Sequence, residues 1–215
     1  MLLHKDSEPI INAIVLLLEA EKLKPLTIRE AEARLGGIVE ASESVLGPDG
    51  PGLILRVPKK HIEVVFTSRK WEINSRGQSL NEDMAKSMAQ IVHVLADYVE
   101  NPQWKAIGYN YNLIFDAPDK KTAIEAIAVA AIAKKALDRK SGYVIKGAST
   151  SLYFDIEDKQ LWLRLEPRGG DRESNMIWAY ANFHQKLEGS LISENRLAKE
   201  FLRFNAVFVE ILGRF

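Results

Sequence analysis

Gly108-Tyr109-Asn110-Tyr111-Asn112-Leu113-Ile114-Phe115 reads as a strand, and Asp119-Lys120-Lys121-Thr122 then opens an Ala- and Ile-rich helix from Lys120 to Leu137. A period of two that gives way at once to one near 3.6 leaves the segment little freedom in how it packs. The same switch recurs along the chain. It predicts an α+β fold of antiparallel or mixed sheets with packed helices.

Working outward, Pro9 to Glu19 is a short Ile-, Val- and Leu-rich run that suits a buried strand, although Leu16 to Glu21 would equally suit a helix. Thr27-Ile28-Arg29-Glu30 has the pattern of a capping box, in which hydroxyl and carboxylate satisfy free amides, and Gly36-Gly37 closes that helix. Gly47 to Gly52 reads as a turn-rich loop. Gly52 to Val57, His61 to Phe66 and Trp71 to Ile73 form a meander ending at Arg76-Gly77. Ser79-Leu80-Asn81-Glu82 is a second capping box. Leu80, Met84, Met88, Ile91, Leu95 and Tyr98 follow as one apolar stripe opposite Glu82, Lys86, Gln90, His93, Asp97 and Glu100.

Beyond the central strand and its helix, Tyr143 to Ile145, Ser151 to Ile156, Leu161 to Leu165 and Met176 to His184 are strands, with Glu157 to Gln160 as a hairpin loop. Leu197, Phe201, Phe204, Phe208, Ile211 and Phe215 then mark the apolar side of a terminal helix capped by Ser193. The order suggests two related α+β halves in one compact unit, residues 1–118 and 119–215. Trp71-x-Ile73-x-x-Arg76-Gly77 and Leu163-x-Leu165-x-x-Arg168-Gly169 hint at an internal repeat.

The strand entered through Pro9, the Ile107 to Asn112 strand, the Tyr153-Phe154-Asp155-Ile156 strand and the long terminal helix together resemble a sporadically distributed family of uncharacterised prokaryotic proteins. The resemblance covers most of the chain in order and hydrophobic pattern. It implies a prokaryotic, cytoplasmic α+β protein and carries no activity or residue role.

Composition narrows the function classes. With 215 residues, 47% hydrophobic, the chain can build a core without staples, and zero cysteines exclude disulfides, thiolate metal sites and cysteine nucleophiles. Lys+Arg and Asp+Glu number 29 each, so no global field draws in nucleic acid or anionic lipid. The longest apolar run, Ile10 to Leu18, falls short of a membrane span, and the N-terminus lacks a secretory-signal pattern, which points to the cytoplasm.

None of His4, His61, His93 and His184 are spaced as local metal ligands, and the sequence calls for no cofactor. His93 sits on a charged helix face and reads as solvated. Three groupings carry the functional expectations. Pro167 to Glu173 offers two glycines for close backbone approach and Arg168 and Arg172 for forking onto phosphate or carboxylate. Tyr180, Asn182 and His184 share a strand face with Trp178, so this region is the ligand-binding candidate, His184 moving a proton and Asn182 and Tyr180 orienting an anion. Asn110 and Asn112 form a similar pair on the central strand, facing either water or a buried polar network. Lys134, Lys135, Arg139, Lys140 and Lys146 form a basic cluster that answers a helix dipole before it answers nucleic acid. Gly-x-Ser-x-Gly is absent, and Glu30, Glu82 and Asp119 read as caps. The leading expectation is a noncatalytic interaction or assembly module that pairs with itself or a protein partner; an anion-binding protein or enzyme is the alternative, and nucleic-acid binding the third.

Overall fold

A computed structural model describes residues 8–35, 40–47, 50–117, 122–131, 149–168 and 175–214. The elements are β1 (Glu8–Glu19), β2 (Lys22–Leu23), α1 (Ile28–Leu35), β3 (Glu40–Gly47), β4 (Gly50–Val57), β5 (Ile62–Thr67), β6 (Lys70–Arg76), α2 (Glu82–Ala96), β7 (Val99–Glu100), β8 (Gln103–Asp116), α3 (Ala123–Ala131), β9 (Thr150–Ile156), β10 (Lys159–Pro167), β11 (Met176–Gly189) and α4 (Glu194–Arg214). A 3-10 turn, Pro58–Lys60, joins β4 to β5. The fold is α+β, as its sequence predicts.

Nine strands form one sheet in the order β3-β4-β5-β6-β1-β8-β11-β10-β9, and β2 pairs separately with β7. Each ladder of the large sheet is antiparallel. The chain lays β1, crosses through α1, and returns by β3 to β6 to β1's flank; it then lays β8 against β1, crosses through α3, and returns by β9 to β11 to β8's flank. The sheet is therefore continuous through the residue 118/119 boundary. Trp71 and Ile73 lie on β6 beside central β1, whereas Leu163 and Leu165 lie on β10, one strand removed from β8. The short sequence match thus joins strands of different sheet position.

Strand alternation sorts the core. Ile14 and Leu16 of β1, Tyr109 and Tyr111 of β8, Leu161, Leu163 and Leu165 of β10, and Ile177, Ala179, Ala181 and Phe183 of β11 are buried in one cluster with residues of all four helices. The strand residues of that cluster belong to a single face, so the helices occupy one side. From α2 it receives Ala85, Met88, Ala89, Ile91, Val92 and Leu95, and from α4 Leu197, Phe201, Phe204, Phe208 and Leu212. Ile211, expected on that stripe, is only partly buried and packs against the cluster, while Leu212 enters it. Among the described residues, no helix is long and apolar enough to cross a membrane.

Local signals are met, with corrections. Thr27 and Glu30 form the predicted reciprocal box, the Thr27 amide donating to Glu30 Oε2 at 3.0 Å and the Glu30 amide to Thr27 Oγ1 at 3.3 Å. For α2 the cap is Asn81, whose Oδ1 accepts the Met84 amide at 2.8 Å; Glu82 instead pairs with Lys86 at 2.6 Å. Thr122 and Glu125 cap α3 in a box the sequence reading overlooked. His93 is half-buried, with Nε2 shielded from solvent, and not the solvated residue expected. Its charged-face position gave way to close packing of α2. Gly36-Gly37, Asp119 to Lys121, the Tyr143 to Ile145 strand, His4, Phe215 and the cluster Lys134, Lys135, Arg139, Lys140 and Lys146 lie outside the described residues.

At the centre, Tyr109 stacks on Phe201 and Phe204 (centroids 6.0 and 5.7 Å) and Tyr111 on Phe201 and Phe208 (5.3 and 6.1 Å). The Tyr109 hydroxyl donates to Glu200 Oε2 at 2.8 Å, and the Tyr111 hydroxyl to the Phe201 carbonyl at 2.5 Å. Burial, then the field of Glu200, holds the Tyr109 phenol well above its ordinary 10.0; burial does the same for Tyr111. In the unfolded chain both ionise near 10, so above that pH the unfolded state binds fewer protons and stability falls. We expect a decline beginning near pH 10 of up to about 1.4 kcal/mol per pH unit for each phenol. Urea midpoints from pH 9 to 11 check it: Tyr109→Phe should flatten the slope, and an equal slope in wild type and variant would refute the assignment.

Candidate functional site

The second face of the sheet carries the other set of alternating side chains, and strand register sets them in cross-strand rows. One row runs Tyr153 (β9), Trp162 (β10), Asn182 (β11), Asn110 (β8), Ala13 (β1). The next runs Asp155, Gln160, His184, Gly108, Val15. Asp155 and Gln160 of the second row are smaller than the Tyr153 and Trp162 they adjoin, which leaves the surface lower beside those two rings. There is a groove of about 480 Å³ lined by Tyr153, Asp155, Gln160, Trp162, Asn182 and His184, with Phe154 and Leu161 also among its lining residues. That size falls within the range of ligand pockets.

The rings of this face contact one another. Tyr153 stacks on Trp162 (centroids 6.3 Å, planes 5° apart), Trp162 meets Tyr180 edge-on at 5.3 Å, and Tyr180 stacks on Trp178 at 5.9 Å. Such pairs hold the side chains upright on the sheet. Tyr180 donates to Asn110 Oδ1 at 3.1 Å, and burial raises its phenol pKa against a lowering hydrogen bond from Asn182. Asn110 therefore belongs to a polar network, the second of the two roles its sequence allowed. Asn112 Oδ1, Asn182 Oδ1 and Trp162 Nε1 are shielded and without a partner among the described residues. Shielded polar atoms of this kind are the exception in a folded chain.

The predicted ligand-binding residues are divided by this geometry. Tyr180, Asn182 and His184 stand on one face of β11, as alternation predicts, and the last two line the groove. Arg168 is exposed at the other end of the β10–β11 ladder, with Nη1 3.4 Å from Met176 Sδ. Eight residues of strand separate Met176 from His184, roughly 26 Å. Arg168 is thus not beside His184, because the hairpin returns the chain past Met176 first. Arg172, with Gly169 to Asp171, lies outside the described residues.

Chemically, His184 faces Gln160, and Asp155 lies one strand further, so the imidazole and the carboxylate are two strands apart, roughly 10 Å. An acid that fixes a catalytic imidazole must be within hydrogen-bond reach. Among the described residues no group of three His, Asp or Glu is placed to hold a metal ion. Nearby, Arg164 is paired with Glu166 at 2.6 Å, and Lys70 is paired with Glu72. Sequence reasoning missed Tyr153, Trp162 and Gln160. Their alternation was legible, but which residues lie opposite β11 depends on register. Compared with models of known protein families and with curated proteins, the chain matches none.

Proposed function

We propose that this chain is a noncatalytic interaction module whose working surface is the sheet face opposite the helices. The observation that carries the reading is the run of contacting rings, Tyr153, Trp162, Tyr180 and Trp178, on that face. Aromatic side chains with polar tips are the residues most enriched at protein interfaces, since they combine apolar area with hydrogen bonding. The partner is a protein, either a second copy or another chain. A cytoplasmic, prokaryotic setting belongs to the same proposal, resting on the zero cysteine count and the family resemblance.

Anion binding is the weaker reading, because Arg168 stands away from Asn182 and His184 and the groove's own charged group is Asp155. The test follows intrinsic fluorescence, to which Trp162 and Trp178 contribute, during titration with inorganic phosphate, acetate, citrate and ATP. The interaction reading expects flat curves. It also expects a partner protein retained by the immobilised wild-type chain and lost with Trp162→Ala or His184→Ala variants of unchanged circular dichroism. Saturable anion curves abolished by His184→Ala would replace this reading with the ligand one.

A further inference from the structure

Among the described residues, β3 and β9 end the nine-stranded sheet, and the two are built differently. An edge strand exposes a row of amides and carbonyls that invites another strand, and proteins blunt such edges with charge, proline or bulges. β3 carries Glu40 and Glu43 in its sequence, and its register against β4 shifts between Ser42 and Val45. β9, Thr150-Ser-Leu-Tyr-Phe-Asp-Ile156, has one charged residue, no proline and an unbroken register of seven pairs against β10. Tyr153 is 77% exposed and Phe154 38% exposed on it, and Leu152 and Ile156 are only partly buried at the rim of the core. The edge is long and regular, apolar toward the helices through Leu152, Phe154 and Ile156, and on the groove side carries Tyr153 between Ser151 and Asp155.

We propose that β9 pairs with β9 of a second copy, antiparallel about a two-fold axis through Tyr153, so that two sheets join into one. This rests on the reading of the chain as an interaction module and names its partner. Full overlap of residues 150–156 puts the axis at Tyr153, and the facing pairs then match in kind. On the groove side Tyr153 meets Tyr153 of the second copy, and Ser151 meets Asp155, hydroxyl to carboxylate. Toward the helices Leu152 meets Phe154 and Thr150 meets Ile156, extending the apolar core from one copy to the next. The axis runs perpendicular to the sheet, since opposite residues of an antiparallel pair share a face. Asp155, the one charge of the strand, never faces itself. Both grooves come to lie on the same side of the joined sheet, flanking the axis.

Sedimentation equilibrium of the full chain at micromolar concentration should give twice 24.2 kDa. Tyr153→Lys sets like charges opposite each other at the axis and should weaken association roughly tenfold or more, with the far-ultraviolet circular dichroism of the folded chain unchanged because the side chain is exposed. Ser151→Lys places a cation opposite Asp155 in this register alone and should tighten it. The chain has no cysteine, so Tyr153→Cys should form a single oxidised dimer, its Cα atoms about 5 Å apart across the axis. A monomer throughout the micromolar range, a dimer indifferent to Tyr153→Lys, or a Tyr153→Cys chain that stays uncrosslinked would each overturn the pairing. A monomer that still retains a protein partner, and loses it with Trp162→Ala, would overturn the pairing and leave the interaction reading standing; a dimer with no other partner would support the pairing.

Discussion

Replacing Phe204 by alanine should destabilise the fold by about 3 to 5 kcal/mol, the cost of a fully enclosed ring and the cavity it leaves. Phe204 is wholly buried on α4, with its ring 4.7 Å from Phe183 and 5.7 Å from Tyr109 by centroid, and the Lys159 ammonium 4.9 Å away. It thus touches β8, β11 and the start of β10 at once, and no single neighbour can move into the space without abandoning the others. In a chain of 215 residues each kcal/mol moves the melting midpoint by roughly 2 to 4 °C, so the drop should be on the order of 10 °C. Leu202→Ala, on a half-buried position of the same helix, should cost clearly less. Equal midpoints for wild type and Phe204→Ala would refute the claim that α4 seals the sheet through this ring.

Legibility followed from how each element is buried. Strands with one covered face showed themselves by alternation: β8 and β11 were readable because Tyr109, Tyr111, Ala181 and Phe183 face the helices while Asn110, Asn112, Asn182 and His184 do not. β3 was not, since Glu-Ala-Ser-Glu-Ser is poor in β-forming residues and is held in the sheet by pairing to β4. The Gly47 to Gly52 loop was overextended for a related reason. Gly52 lies inside β4, where a Cβ would come within 2.7 Å of Thr67 Cγ2 and 2.8 Å of the Phe66 carbonyl. It serves close strand approach and not a turn.

The site divides in the same way. Which residues of β11 share a face is a property of one strand, so Tyr180, Asn182 and His184 were found together. Which residues stand opposite them is a property of register between strands, so Tyr153, Trp162 and Gln160 were not found, and Arg168 was drawn too near by its closeness in sequence. His93 and Lys159 show a third limit: both lie in segments that read as solvated, and the docking of distant elements decides their burial.

Lys159 supplies the second large expectation. It sits in what reads as a hairpin loop, yet its side chain is 2% exposed, with the ammonium 2.9 Å from Asp158 Oδ1 and 3.5 Å from Glu200 Oε2. Glu200, itself 13% exposed, also accepts from the Tyr109 hydroxyl at 2.8 Å and from Arg196 Nε at 2.8 Å. Removing one partner of a buried pair leaves the other charge desolvated and uncompensated, which costs more than the intact pair contributes. Glu200→Ala strands Lys159 and the buried Tyr109 hydroxyl together and should cost about 3 kcal/mol, Asp158 sparing part of the loss. Lys159→Met leaves Glu200 with Arg196 and Tyr109 and should cost much less. In the double variant the stranded cation is gone, so its loss should fall short of the sum of the single losses by about 1 kcal/mol or more. Strict additivity in urea unfolding would show that the cluster is not coupled. The same contacts, with Gln185 Nε2 on Asp158 Oδ2 at 2.7 Å and Arg203 paired to Glu157, tie the β9–β10 turn to α4 and β11. Loosening them should therefore speed hydrogen exchange along β9 more than along β4 at the opposite side of the sheet, because the edge strand is held by β10 and by this anchored turn.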